Sequence, residues 1–171
     1  PQWTADGVVI CSAASHQWTT AITSDGAGGA IIVWRDARTG VSDIYVQRVN
    51  ASGVPQWTAN GVLLCNAAND QYDPKLVADG AGGAIVTWHD YRSGSNNDIY
   101  AQRVNSAGAA QWAANGKSVC TAAFSQDYPR IIADNAGGAI IVWPDLRSGT
   151  YFDIYAQRLN SSGTPQWIAN G

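Results

Sequence analysis

The amino-acid sequence predicts an all-β fold built from repeats, and three observations carry that prediction. One stretch, Asp79 to Asn105 (DGAGGAIVTWHDYRSGSNNDIYAQRVN), returns as Asp25 to Asn50 and again as Asp134 to Asn160. Good helix formers are scarce: Glu and Met are absent, and Lys occurs only as Lys75 and Lys117. Gly, Asn, Ser, Thr, Val, Ile and Trp, the residues of turns and strands, take their place.

Self-comparison divides the 171 residues into units 1–54, 55–109 and 110–164, with a partial fourth unit, PQWIANG, at 165–171. No linker or change of composition separates the units, so they form a single repeat domain, 1–171.

Each unit reads as four short strands, and the second unit shows why. Gly61 to Cys65 is a brief apolar strand, followed by a polar Asn/Asp loop. Asp73 to Asp79 is the next strand, with Pro74 at its edge. Gly80-Ala81-Gly82-Gly83 makes a tight hairpin turn. Ala84 to Asp90 (AIVTWHD) is nearly all apolar, which predicts burial on both faces. Asp98 to Asn105 (DIYAQRVN) alternates and closes the unit.

Three four-stranded units of this length predict a β-propeller-like arrangement, each unit one blade; a β-trefoil is the alternative. The inner strands would be Trp18 to Asp25, Asp73 to Asp79 and Tyr128 to Asp134, and each outer strand would end in Cys. In that phase Gly7 to Cys11 is an outer strand without a blade, and the last blade lacks its outer strand. The missing strand would be supplied across the chain ends, in a closed ring or a head-to-tail filament, so the expected partner is a second copy (a homo-oligomer) or a longer repeat chain. A chain that begins at Pro1 and lacks Met reads as a processed product or a piece of something longer.

Composition excludes several classes. Hydrophobic residues make up 46% and charged residues 13%, which excludes disorder. The net charge is −3 with no basic run, which excludes a nucleic-acid partner. The longest apolar run, Gly137 to Trp143, is too short for a membrane span. Cys11, Cys65 and Cys120 occupy one repeat position and read as small buried hydrophobes. No ligand spacing for a metal and no cofactor motif is present, so no cofactor is expected.

The pattern W-x-D-x-R-x-G…D-I-Y-x-Q-R-x-N-x-x-G…Q-W-x-x-x-G, carried by Trp34 to Arg38, Asp43 to Arg48 and Gln56-Trp57 and their equivalents, resembles β-propeller-type repeats of large secreted and cell-surface bacterial proteins. The resemblance implies an extracellular or cell-surface location and a propeller; it implies no particular activity.

Three residue sets could carry chemistry. Asp36, Arg38 and Asp43, with Asp90, Arg92, Asp98 and Asp145, Arg147, Asp153, are complete in every unit, which predicts a structural brace of an Arg between two carboxylates. Asp25, Asp79 and Asp134 begin the glycine turns and read as Asx turns in preference to Ca²⁺ ligands. The aromatics that vary between units, Trp18, Tyr72, Tyr91, Tyr128, Tyr151 and Phe152, are the candidate binding residues, suited to stacking on a glycan. His16 and His89 have no partner motif. No catalytic residue is expected. The leading expectation is a non-enzymatic extracellular structural or interaction protein that self-assembles by strand exchange. A lectin-like carbohydrate-binding propeller comes second. A glycosidase ranks last, because the Asp residues recur symmetrically and Glu is absent.

Overall fold

The computed structural model describes residues 3–171, without the side chains of Thr19 and Thr20; the opening Pro1-Gln2 of the first unit lies outside the described residues. The structure is all-β, in three antiparallel sheets, with no helix among the described residues. No helix among the described residues is long and apolar enough to cross a membrane.

The first sheet contains β1 (Gln17–Ser24), β2 (Ala30–Asp36), β3 (Asp43–Val49) and β4 (Val62–Cys65), hydrogen-bonded in sequence order. The second contains β5 (Gln71–Ala78), β6 (Ala84–Asp90), β7 (Asp98–Val104) and β8 (Lys117–Cys120) in the same order. The third contains only β9 (Arg130–Ala133), β10 (Ala139–Asp145) and β11 (Asp153–Leu159). The first strands of successive sheets lie side by side, β1 against β5 and β5 against β9.

Local chemistry explains these elements. β2, β6 and β10 are runs of Ala, Ile, Val and Trp, residues that suit a pleated buried surface. The turn before each of them is dictated by close approach. A Cβ on Gly83 would lie 2.1 Å from the Val104 carbonyl oxygen, and the equivalent distances for Gly29 and Gly138 are the same. Each buried Gln of the QR pair fixes the chain that follows. Gln102 donates to the Ala113 carbonyl at 2.7 Å and accepts from the Trp112 N–H at 2.8 Å. That places Trp112 on the turn of the next unit, where its indole donates to the Ser161 carbonyl at 3.1 Å. Trp3 and Trp57 make the same contact with Ala51 and Ser106.

The core lies between sheets. Ile31, Val33, Leu64, Leu76, Val86 and Trp88 fill the gap between the first and second. Ile99, Val119, Ile141, Trp143 and Leu159 fill the gap between the second and third. Burial on both faces holds for β6, every residue of which is buried, while β2 and β10 alternate. The middle sheet has a neighbour on each side, whereas the flanking sheets do not.

Two expectations are corrected. Gly7 to Cys11 is not a strand, and no strand among the described residues pairs with the outer edge of β11. Val8 and Ile10 instead line an apolar groove with Ile22, Ile32 and Val49 of the first sheet, where burying their side chains requires no ladder. The inner strands also begin differently. β1 and β5 start at Gln17 and Gln71 and are broken by bulges between Trp18 and Ala21 and between Tyr72 and Lys75. In the third unit the same position is reduced to a single bridge, Gln126 to Asp145, ahead of β9.

The glycines give a direct test. Gly80 has φ +77 but open space around its Cβ position, whereas Gly83 faces backbone. Gly80→Ala is expected to lose about 1–2 kcal/mol from left-handed strain alone. Gly83→Ala is expected to lose clearly more in urea denaturation, because backbone must move.

Candidate functional site

Each unit contains a buried fork. In the second, Asp90 is fully buried. Its Oδ1 accepts from the Arg92 backbone N–H and from Arg92 Nε, both at 2.9 Å. Its Oδ2 accepts from Arg92 Nη2 at 2.6 Å and from the Trp88 indole at 2.7 Å. The same guanidinium donates to the Asn115 carbonyl at 2.8 Å, touches Cys65 Sγ at 3.6 Å and stacks over Tyr100 at 3.6 Å. Asp36 with Arg38 and Asp145 with Arg147 repeat the pairing. Burial raises the Asp36 and Asp145 carboxyls, but the arginine and the tryptophan N–H outweigh it and hold both below the usual range, although Arg147 binds Asp145 through Nη2 and its backbone N–H alone, its Nε having no partner.

The Arg does not bridge two carboxylates. Asp36 and Asp43 face each other directly across β2 and β3, as do Asp90 and Asp98, and Asp145 and Asp153. Like charges in that position oppose each other, and the guanidinium turns to one of them. Among the described ion pairs, Asp43, Asp98 and Asp153 form none. Asp43 accepts from Thr39 Oγ1 at 2.6 Å, and its Oδ1 has no partner. Burial and the facing Asp90 charge push Asp98 up to about 6.

A second pairing was not foreseen. Arg48, Arg103 and Arg158 reach the turn carboxylates Asp25, Asp79 and Asp134 at 2.9 Å. Each of those Asp residues also accepts two turn N–H groups, as Asp79 does from Ala81 and Gly83 at 2.8 Å. They are committed to the fold, and among the described residues no cluster suited to a metal ion is present. Burial raises the thiols of Cys65 to about 12 and Cys120 to about 11, so neither ionises near neutrality.

Chemistry that the repeat leaves unused gathers at the bulges of the inner strands. The residue between Trp and Asp in each W-x-D differs between units: Arg35, His89 and Pro144. Arg35 lies between Trp18 and Tyr72, its guanidinium 4.7 Å from each ring. His89 lies between Tyr72 and Tyr128, 5.4 Å from each ring centroid. The result is a ladder, Trp18–Arg35–Tyr72–His89–Tyr128, running across all three units. His16 extends it, 5.2 Å from Trp18.

Charges outside the repeat flank this ladder. Asp70 accepts from Tyr72 Oη and from the Ser42 N–H, both at 2.8 Å. Asp73 pairs with Lys75 at 2.6 Å and with Arg130 at 3.7 Å. Asp127 accepts from Asn97 Nδ2 at 2.7 Å. Asp73 and Tyr128 occupy one bulge position and have φ of 47° and 48°, left-handed values that are strained for side chains of this kind. Trp18 and Tyr128 keep 39% and 60% of their surface exposed, enough to present a ring face to a ligand.

Of the six variable aromatics, Trp18, Tyr72 and Tyr128 therefore come together. Tyr91 lies on the β6–β7 loop with its hydroxyl bonded to the Gly94 carbonyl, and Tyr151 and Phe152 stand exposed on the β10–β11 loop. The sequence reading set His89 aside for want of a partner motif and did not single out Arg35, Asp73 or Asp127. Aligning WTT, YDP and DYP at the bulge, and WRD, WHD and WPD opposite it, would have marked them as the positions where the repeat breaks.

No protein-family model matches the chain, and no curated protein matches it. Among solved structures, the chain is similar to one described as "The GH130 family of mannoside phosphorylases contains glycoside hydrolases that target beta-1,2 mannosidic linkages in Candida mannan". The TM-score is 0.51 at 10% identity, covering 92% of this chain and 53% of that one, so this chain spans about half the neighbour's length. The neighbour's fold is of five-bladed propeller type. This finding corrects two expectations from the sequence, that the protein is a non-enzymatic, self-assembling structural protein and that it is not an enzyme: in the neighbour, a fold of this kind belongs to a glycoside hydrolase. The symmetric Asp residues had placed a glycosidase last, yet Asp70, Asp73 and Asp127 stand outside that symmetry.

The Asp98 carboxyl sets a pH dependence. Its folded pKa lies near 6, above the unfolded value, so folding favours the protonated form and stability falls as pH rises from about 4 to about 6. Asp98→Asn is expected to be more stable than the parent at neutral pH, by on the order of 2 kcal/mol. The difference should vanish below about pH 4 in thermal melts run against pH.

Proposed function

We propose that this chain is a three-blade segment of a β-propeller that engages a glycoside at the ladder face, with Asp73 and Asp127 as the carboxylates available to act on it. The observation that carries this reading is the asymmetry. Two Arg and three Asp positions recur in all three units as framework, whereas Arg35, Asp70, Asp73 and Asp127 occur once each, Lys75 and Arg130 share a position that is Ala21 in the first unit, and all of them meet beside the ladder. A single ligand needs a single set of groups. Exposed ring faces of Trp18 and Tyr128 suit the apolar face of a sugar, and the Asp, Arg and Lys groups suit its hydroxyls. Glycoside cleavage uses two carboxylates, and these two lie near His89, where their charge offsets part of the burial that lowers its proton affinity.

The fold likeness supports the propeller arrangement, and the mannosidic linkages named for the neighbour make a mannoside the first ligand to try. The extracellular setting implied by the repeat resemblance belongs to the same reading, since free glycans are met there.

Titration calorimetry with β-1,2-mannobiose and a panel of other disaccharides tests it. Trp18→Ala and Tyr128→Ala are each expected to weaken binding by about 1 kcal/mol or more, with Tyr151→Ala unchanged. Where the bound sugar is also cleaved, Asp73→Asn and Asp127→Asn should stop product release and leave binding measurable. Absence of binding across the panel would sink the proposal.

A further inference from the structure

His89 is the rung inside the ladder whose charge can change near neutral pH. It is 6% exposed, and its Nδ1 accepts the backbone N–H of Tyr128 at 3.1 Å. Resting on the reading of this face as the glycan site, we propose that His89 is a pH switch that holds the Tyr128 bulge in its binding conformation when neutral and releases it when protonated.

The geometry makes the two states incompatible. A protonated imidazole carries hydrogen on both nitrogens and has no acceptor left. The Tyr128 N–H would then face another N–H. Tyr128 has φ 48°, a conformation that costs a non-glycine residue energy and that this hydrogen bond helps to hold. The His89 ring also packs edge-on against Tyr128, so displacement of the backbone moves the exposed ring itself.

The charged surroundings set the range. From β5, Asp73 favours the proton and Lys75 opposes it; Asp90 on β6 and Asp127 ahead of β9 favour it. Arg130 reaches Asp73, and Arg35 stacks on the far side of Tyr72. Burial is the largest influence and lowers the pKa below 6.5, so the switch operates in mild acid. The unfolded chain takes up this proton more readily than the folded one, so stability is lost as pH falls below 6.5. A glycan that needs the held form binds in proportion to the neutral fraction, weakening about tenfold per pH unit below the midpoint.

NMR on the whole chain between about pH 4 and pH 8 tests this. The Tyr128 amide is expected to shift with the midpoint of the His89 ring. In His89→Gln, whose side-chain oxygen can accept the same N–H without titrating, the Tyr128 amide should be flat. A Tyr128 amide that ignores the His89 titration in the parent chain overturns the switch, and that reading stands even if the variant fails to fold. Binding of β-1,2-mannobiose across the same range separates the two proposals. A co-titrating amide with no binding at any pH leaves the switch and removes the glycan site; binding that is independent of pH removes the regulation and leaves the site.

Discussion

The structure depends on a carboxylate that has no access to water. Removing an ionised Asp from solvent costs several kcal/mol unless its oxygens are fully engaged. Asp90 meets that condition with three hydrogen bonds from Arg92 and one from Trp88, joined by longer ones from Gln71 Nε2 and Cys65 Sγ. The same Nη2 also reaches the carbonyl of Asn115, in the turn ahead of β8, and the thiol of Cys65, on β4 of the neighbouring sheet. One ion pair thus joins the end of a core strand, the loop after it, the start of the outer strand and the neighbouring sheet. That is why W-x-D-x-R, the Cys and the Ala-Asn-Gly recur together: each is one side of the same contact. A lysine would keep the charge and lose the fork.

A framework fixed in this way leaves little freedom for chemistry at the repeated positions. The turn carboxylates are held by N–H groups and by arginine, the buried Gln residues hold the Q-W segment, and the Cys65 and Cys120 thiols are buried beside a guanidinium. What varies without cost to the framework is the residue between Trp and Asp and the bulge facing it. These positions project between neighbouring inner strands, so their substitutions meet each other. The Arg35 and His89 rungs, one a permanent cation and one titratable, illustrate how the same slot acquires different electrostatics in successive units.

Much of this was legible from residue order alone. The period, the hairpin turns, the approximate strands and the pairing of Arg with the Asp two residues before it are local features, decided by turn chemistry and by spacings of a few residues. The second carboxylate was misassigned because the strand register sets Asp36 opposite Asp43, and two like charges cannot both be satisfied by one fork. The Arg48–Asp25 pair escaped notice because its partners are 23 residues apart. The strand expected at Gly7 to Cys11 failed because a segment of that length takes its structure from whatever sheet it packs against.

By itself, then, the sequence determined an all-β repeat with a symmetric framework, because hydrophobic period, glycine turns and short-range ion pairs act within one unit. Only the tertiary structure decided where function could lie. Trp18, Arg35, Tyr72, His89 and Tyr128 are spread over 111 positions of the chain and sit where the repeat varies. They form one ladder because the inner strands of successive sheets pack side by side, and contacts between units are invisible to any pattern read within one.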